Sequence, residues 1–588
     1  MTSSKGNKHP ANFVFWDTET ERDEMGNHHL LMVAFTFGGR IPAEEVREDL
    51  PVEVAEDLGP LFAAVRRFEH KKGPVYCFCH NLGFDSRAAG LLEAAKKAGL
   101  VLSAEKSWRN EGSSCLFFTM GQKPVIFLDT VNFYGRTRLR TIGDRIGLAK
   151  GHLPQPNAED GALAEYARQD VRVLARAVFD YLDAVEGSSS GSFKPTIAGQ
   201  AWERLRYRLA DSTGHLRGIE WHDVAPVREL EKSAYFGGRC EAFRVGTYHD
   251  CTTLDVVSMY GTVLSSITVP GRLVRFEPRY TNQNLLRVLE EFCVVAHVTL
   301  QVDPSVFVPP YPVRTREGVL YPTGRFTTSL CTEGLRYAIE RGDLLHVHQL
   351  SVYEKTNVLQ SYAAELLDLI QRAEDRPNHR AIFKRLLNSV TGRFARKRIE
   401  VETTEYPFPG DVIYDTHRKG FVSRLGDETV VSWQYDEPHK WSYHAIAAHI
   451  TEAARFRMLK LYQKYQPFLL YTDTDSLILD GVFHSSGSRP GLLKTESQWE
   501  TLEVIREKYY QGVLMDGSTK RVCSGIPINA VCEDSHTYTF QVWDCDIRKN
   551  EKPRTVEVTS TVSTESKKRK RAKLVGACKT FPIHLEEV

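Results

Sequence analysis

The sequence contains no Cys-x-x-Cys pair. Its 11 cysteines are scattered, and the nearest two are Cys77 and Cys79. A zinc site of the usual spacing is therefore not expected, and reduced thiols inside a cell are the simpler state. No run reaches 18 consecutive apolar residues, so no helical membrane span and no membrane partner are expected. The first ten residues lack the apolar segment of a secretory leader, and an intracellular protein is expected. No internal repeat is evident. Net charge is nearly absent as well, since 76 Lys and Arg against 75 Asp and Glu leave +1. That balance does not exclude a polyanionic partner, because carboxylates that hold metal ions cancel bases that hold phosphates. The composition is 42% apolar and 26% charged, which is globular usage and excludes a disordered, collagen-like or coiled-coil chain. A chain of this length has room for about four domains.

Residues 13–19, 30–37, 75–79 and 125–129 read as strands with helical patterns between them, an α/β layer running to about residue 185. The Gly/Ser-rich stretch at 187–192 reads as a flexible joint. Beyond it, 196–215 reads as a helix, and 252–257 and 468–479 as buried strands. Residues 360–374 and 381–395 read as two helices split by Asp375-Arg376-Pro377-Asn378. Residues 262–358 and 396–436 contain strand-like runs and several prolines, and read as insertions around a central unit.

Two sets of acids carry the chemistry. Asp17 and Glu19 are two apart on a strand, so both carboxylates share a face. Asp85 closes the stretch His80-Asn81-Leu82-Gly83-Phe84-Asp85, and Tyr166 and Asp170 are four apart on a helical pattern. Four carboxylates and a tyrosine can hold two divalent ions and orient a water, which is what phosphodiester hydrolysis requires. Asp-x-Glu alone is a common surface pattern; the ordered set is what makes it specific. In the second set, Asp255 ends an apolar strand, and Asp473 and Asp475 lie between Leu469-Leu470 and Leu477-Ile478-Leu479. Acids in such a setting are costly unless paired or metal-bound, and Asp255 and Asp473 are the expected principal ligands. Lys384, Asn388 and Thr391, at offsets 0, 4 and 7, are expected on one helix face, where a lysine can neutralise a triphosphate.

These elements occur in an order that resembles the family B DNA polymerases with a proofreading exonuclease. Asp17-Thr18-Glu19, Asn81 to Asp85, and Tyr166 with Asp170 resemble the three exonuclease motifs. Asp255 to Tyr260, Lys384 to Gly392, and Tyr471 to Asp475 resemble polymerase motifs A, B and C. Tyr235-Phe236-Gly237-Gly238 is similar to the Y-x-G-G element, and Lys508-Tyr509-Tyr510 to the K-x-Y element. With the first motif 16 residues in and insertions at 262–358 and 396–436, the closest resemblance is to the protein-primed subgroup of bacteriophages and linear plasmids.

The resemblance implies an RNase H-like exonuclease domain followed by a right-hand polymerase with two insertions, in a multidomain α/β and α+β chain. Its parts would be 1–188 exonuclease, 189–261 first palm segment, 262–358 terminal-protein region 1 and 359–395 fingers. The remainder would be 396–436 terminal-protein region 2, 437–520 second palm segment, and 521–588 thumb and tail. It implies two Mg²⁺ per active site, with Mn²⁺ as a substitute, and DNA primer-template, single-stranded DNA and dNTPs as partners. It further implies a terminal protein whose hydroxyl primes synthesis, and a monomeric enzyme. Tyr260, Lys384, Arg372, Arg380 and Asn388 would face the dNTP. Asn81, Phe84, Tyr235, Gly237, Gly238, Thr391, Gly392, Lys508 and Tyr510 would face DNA. The chain departs from the family pattern at Thr391, where motif B usually has tyrosine, and at Gly261, where motif A usually has proline. Two alternatives stay open: a polymerase that extends nucleic-acid primers, and a nuclease whose polymerase half is a scaffold. The basic run Lys567 to Lys573 has three readings: duplex-phosphate contacts from the thumb, a nuclear import signal that would place the protein in a nucleus or virus factory, or a solvated tail.

Overall fold

The computed structural model describes residues 8–110, 113–155, 161–211, 216–280, 284–316, 318–406, 408, 411–415, 418–425, 428–438, 442–534, 536–544, 553–566, 568–571 and 578–585. The chain forms two compact units. One contains Met1–Arg208, Asp368–Ser442 and Gln541–Glu557; the other contains Leu209–Leu367, Tyr443–Phe540 and Val558–Val588.

The first unit is built on an eight-stranded mixed sheet. Its opening strand, Asn12–Arg22, pairs antiparallel with His28–Gly39 and parallel with Val75–Cys79, which in turn runs parallel to Lys123–Asp129. Alternation along the opening strand sorts its side chains. Phe13 and Phe15 stack with Phe78 and meet Phe179 edge-on at 5.0 and 5.3 Å. Val14 and Trp16 lie in the core on the other face, Trp16 edge-on to Phe127 at 5.9 Å. Each such side chain contributes roughly 1.5–3 kcal/mol of burial. Phe179 belongs to the 26-residue helix Ala162–Gly187, so this helix covers the odd-numbered face of the strand. Asp17 and Glu19 continue that face toward Asp170, nine residues before Phe179 on the same helix.

The 187–192 stretch is not the flexible joint its composition suggests. Ser188 and Ser190 are buried, the Arg204 guanidinium donates to Ser190 Oγ at 3.2 Å, and Gln200 donates to the Ser190 carbonyl at 2.8 Å. The serines serve as small acceptors for buried donors of the next helix, Ile197–Leu209. The two helices expected at 360–374 and 381–395 are Val358–Arg372 and Pro377–Phe394. The second begins inside the expected breaker because Pro377 occupies its first turn, where a missing N–H costs nothing. Asn378 and His379 bond to Asp180 of the long helix at 2.6 and 3.1 Å. The 396–436 segment forms most of a four-stranded antiparallel sheet in the order Lys397–Thr403, Glu428–Pro438, Arg418–Leu425, Val412–Asp415, and its Val430 joins the core of the eight-stranded sheet.

The second unit carries a nine-stranded sheet. Its main path is Thr519–Cys523, Tyr509–Leu514, Leu493–Arg506, Arg244–Val256, Ser476–Leu479, Leu469–Asp473, Cys240–Ala242. The helix His444–Lys464 sends Glu452 to accept from the Cys331 and Gly334 N–H groups at 3.0 and 2.8 Å. This caps the helix Thr332–Arg341 from a distance. The 262–358 segment contributes four strands to a five-stranded sheet ordered Val269–Glu277, Leu344–Thr356, Cys293–Val302, Thr323–Cys331, His584–Leu585. Among the described residues no helix is long and apolar enough to cross a membrane.

Candidate active sites

In the first unit, Asp17, Glu19 and Asp170 place one carboxylate oxygen each within 4.8 Å of one another. Asp85 lies beside them, accepting from Thr18 Oγ1 at 2.6 Å. The structure thus gathers acids that stand in three separate places in the sequence. Two buried oxygens, Asp85 Oδ2 and Asp170 Oδ1, have no hydrogen-bond partner. Desolvation and then the neighbouring acids Asp85, Asp170 and Glu19 push the Asp17 carboxyl well up. Burial, followed by Asp170, lifts Glu19 to about 7. Burial lifts Asp85 to about 8, against the opposing pull of the Thr18 hydroxyl. Orphaned oxygens among mutually repelling carboxylates are the electrostatic signature of a cation site, and an all-oxygen donor set suits Mg²⁺ or Mn²⁺.

One functional residue escaped the sequence reading. Lys150 Nζ lies 2.5 Å from Asp170 Oδ2 and 4.9 Å from the Tyr166 ring centre. Burial pulls its pKa down, but Asp170 and Tyr166 more than offset this and hold it above the ordinary lysine value. Lys150 sits in a loop sixteen residues before Tyr166, and no spacing rule marks it. A lone lysine next to a helix bearing Tyr-x-x-x-Asp is the only signal the sequence holds. Asn81 adopts a left-handed conformation (φ +86°) at the start of the helix Leu82–Ala88; Asp129 accepts from its N–H and from that of Leu82, each at 3.0 Å. This turn places Asp85 one helical turn on. Phe84 is half-buried and meets His28 edge-on at 5.1 Å.

In the second unit, Asp255 and Asp473 are both in register with Ser476, one on each side of the strand Ser476–Leu479. The Val256 N–H donates to the Asp475 carbonyl at 3.0 Å. Burial, with Asp473 adding to it, raises the Asp475 carboxyl. Tyr260, in the helix Met259–Leu264, is raised by burial and by Asp475, which puts its hydroxyl in the field of that acid. Lys508 pairs with the Asp473 carboxylate, and its N–H donates to Tyr471 Oη at 3.0 Å. Partial burial pulls the Lys508 pKa down, yet the Asp473 carboxylate leaves it above its usual value. Tyr510 packs on Tyr471 with ring centres 4.9 Å apart.

The Y-x-G-G element embraces the Asp473-Thr474-Asp475 turn. Thr474 has φ +62° and donates its N–H to the Arg239 carbonyl at 2.7 Å. A Cβ on Gly238 would stand 2.7 Å from Thr474 Cγ2, so only glycine permits this approach. Arg455 donates to the Phe236 and Gly237 carbonyls at 2.6 and 3.1 Å, and Arg314 to the Tyr235 carbonyl at 2.8 Å.

The motif B residues belong to the first unit. Arg380, Lys384, Asn388 and Gly392 form an exposed i, i+4 stripe on the helix Pro377–Phe394. Thr391 is not exposed with them as expected. It is 6% exposed, and its hydroxyl has no partner; at 3.6 residues per turn offset 7 keeps it within about 20° of Lys384, so its burial comes from what packs on the last turns of the helix and not from a different face. Arg372 pairs with Asp368 across one helical turn at 2.9 Å.

Two members of the basic run are structural. Arg569 has a fully buried side chain that pairs with Glu241 at 3.3 Å and donates to Thr580 Oγ1 at 2.7 Å. Lys568 donates to the Cys240 carbonyl at 3.1 Å. A dense basic string conceals this, because burial of one member depends on an acid 328 residues away. Lys567 and Lys573 lie outside the described residues.

Residues 160–409 match the family model described as DNA polymerase type B, organellar and viral. The chain is 26% identical over 350 residues to the DNA-directed DNA polymerase of Enterobacteria phage PRD1, covering 57% of each chain. It is 22% identical over 334 residues to the DNA polymerase of Bacillus phage Nf, covering 54% of this chain and 53% of that one. The chain therefore spans little more than half the length of the curated relatives it matches. Sequence and fold point the same way: residues 160–409 resemble the type B DNA polymerases of viral kind. The fold is similar to that of phi29 DNA polymerase. Phi29 DNA polymerase complexed with primer-template DNA and incoming nucleotides superposes with a TM-score of 0.67 at 15% identity, over 94% of this chain and all of that one. The same enzyme complexed with single-stranded DNA superposes with a TM-score of 0.66 at 16% identity, over the same shares.

Proposed function

We propose that the protein is a template-directed DNA polymerase with a 3′–5′ proofreading exonuclease, which replicates a linear viral or plasmid genome inside a cell from a protein primer. The observation that carries this reading is the presence, in one chain of phi29 polymerase fold, of two separate acid centres: Asp17, Glu19, Asp85 and Asp170 in one unit, and Asp255, Asp473 and Asp475 in the other.

When bound, divalent cations such as Mg²⁺ supply Lewis acidity and neutralise developing charge at both centres. In the exonuclease, Asp17, Glu19, Asp85 and Asp170 hold them. Tyr166 orients the attacking water, and Lys150 fixes the Asp170 carboxylate and adds positive charge beside the scissile phosphate. Phe84 stacks on the frayed end, and Asn81 contacts its backbone. In the polymerase, Asp255 and Asp473 hold the cations and Asp475 assists. Tyr260 packs beneath the incoming sugar and excludes a 2′-hydroxyl. Arg372, Arg380, Lys384 and Asn388 serve the triphosphate, and Lys508, with Tyr510, steadies the primer terminus.

The test uses a labelled 3′-recessed primer on a longer template with Mg²⁺. Extension with dNTPs and shortening without them supports both activities. Asp473→Ala should abolish extension and spare trimming, while Asp17→Ala with Glu19→Ala should do the reverse. Shortening under both conditions would reduce the second unit to a scaffold. Transfer of a dNMP to a protein hydroxyl without any nucleic-acid primer would support protein priming, and its absence alongside normal primer extension would favour the nucleic-acid-primed alternative.

A further inference from the structure

Three histidines outside both acid centres come together on the five-stranded sheet of the second unit. The His297 and His348 ring centres are 5.4 Å apart, and those of His346 and His348 are 4.7 Å apart. The backbone is irregular here. His297 opposes Gln349 and Val298 opposes Val347, so His348 is left as the extra residue of a β-bulge. Bulges re-aim side chains, and this one brings His348 between His297 on the neighbouring strand and His346 on its own.

Two ring nitrogens are fixed by hydroxyls. His297 Nδ1 lies 3.1 Å from Ser329 Oγ, which also bonds Ser233 Oγ at 2.7 Å. His348 Nε2 lies 2.7 Å from Thr299 Oγ1. Metal-ligating imidazoles are commonly held this way, one nitrogen oriented by a neighbour and the other turned to the ion. An ion about 2.0–2.1 Å from each ligating nitrogen, at a tetrahedral angle, sets imidazole centres roughly 5 Å apart. The two observed separations bracket that spacing.

We propose that His297, His346 and His348 form a binding site for a borderline-soft divalent cation such as Zn²⁺, distinct from the carboxylate centres that suit Mg²⁺. Burial, followed by the neighbouring imidazole, lowers the pKa of both His297 and His348, with a backbone hydrogen bond to Thr328 opposing it at His297. Among the described residues, only Asp17, Glu19 and Asp170 already hold three ligand atoms within 4.8 Å. The His346 and His348 rings meet edge to face at 79°, so ligation by all three imidazoles requires the exposed His346 to turn. Imidazole donors select Zn²⁺, Ni²⁺ or Cu²⁺, and carboxylates select Mg²⁺ or Mn²⁺, so the two kinds of site can be filled independently.

The experiment titrates the full chain with Zn²⁺ in excess Mg²⁺ by competition with a chromophoric chelator, and repeats it with Co²⁺, reading the ligand-field spectrum. One high-affinity ion with a nitrogen-ligated Co²⁺ spectrum is expected. His346→Ala and His348→Ala should each abolish it, and Thr299→Val should weaken it about tenfold. His346 is exposed, so its variant should keep the metal-free melting temperature and isolates ligation from folding. Equal binding by the wild type and a His297, His346, His348 triple alanine variant would overturn the proposal. So would the absence of any Zn²⁺ binding above that of the Mg²⁺-competed carboxylates.

Discussion

The ammonium of Lys150 lies 2.5 Å from the Asp170 carboxylate and faces the Tyr166 ring. It is a counter-charge inside a cluster of four acids, and it remains a cation because Asp170 and Tyr166 outweigh its partial burial. Removing it leaves Asp170 buried without a partner on either oxygen. Lys150→Ala should reduce 3′ trimming about 10²-fold, the scale of losing one electrostatic stabiliser. Primer extension should be unchanged, and Lys150→Arg should recover part of the loss. Single-turnover digestion of a labelled single strand measures this, and unchanged trimming would remove Lys150 from the site.

The same crowding makes stability depend on pH in a stated direction. Glu19 and Asp85 stand at about 7 and about 8 in the fold, against ordinary values of 4.5 and 3.8. A carboxyl raised on folding contributes stability that is complete below its unfolded pKa and is lost as pH rises through its folded pKa. In a chelator, the melting temperature should therefore fall as pH rises from about 5 to about 8. Mg²⁺ binds only the ionised acids and should reverse the fall. Glu19→Gln with Asp85→Asn should flatten the profile. A metal-free profile that is already flat would contradict the burial of these acids.

Much of this arrangement was legible in the residues. Period-two alternation put Asp17 and Glu19 on the face of Phe13 and Phe15, and the i, i+4 spacing put Tyr166 and Asp170 together. Apolar flanks marked Asp473 and Asp475. Long-range pairings with no local pattern were not legible. Lys150 reaches Asp170 across a loop, Arg569 reaches Glu241 across 328 residues, and the bulge at His348 follows from a register that no single strand encodes. Composition misled at Ser188 and Ser190, because buried donors from Gln200 and Arg204 use the small polar residues that would otherwise suit a linker. Thr391 misled because an angle about a helix says nothing of where along its length a core is met: it lies within about 20° of the exposed Lys384 and is nonetheless buried.

Arg569 separates structure from DNA binding within the basic run. Its guanidinium is fully buried against Glu241 and Thr580, and Arg239 also pairs with Glu241. Cutting one partner from a buried ion network typically costs about 3–5 kcal/mol. Arg569→Ala should lower stability by that order, seen as an earlier denaturation midpoint. At a temperature where the variant remains folded, the salt dependence of DNA binding should match the wild type. A shallower salt slope with unchanged stability would instead return Arg569 to the phosphate-contacting role.

Gly238 tests whether the Y-x-G-G element sets the geometry of the Asp473-Thr474-Asp475 turn. A methyl group there would stand 2.7 Å from Thr474 Cγ2, 2.8 Å from its Oγ1 and 3.0 Å from its Cα. Thr474 is already held at φ +62° between the two acids, so the strain passes directly to Asp473 and Asp475. A displacement near 1 Å in a reacting centre costs about 10²-fold in rate. Gly238→Ala should therefore lower dNTP incorporation by about that factor while leaving trimming by the other unit intact. A methyl group on Gly237 would meet only open space, so Gly237→Ala serves as the control and should retain most of the activity. Equal effects of the two substitutions on extension would show that the element acts through DNA contact rather than through the Thr474 turn.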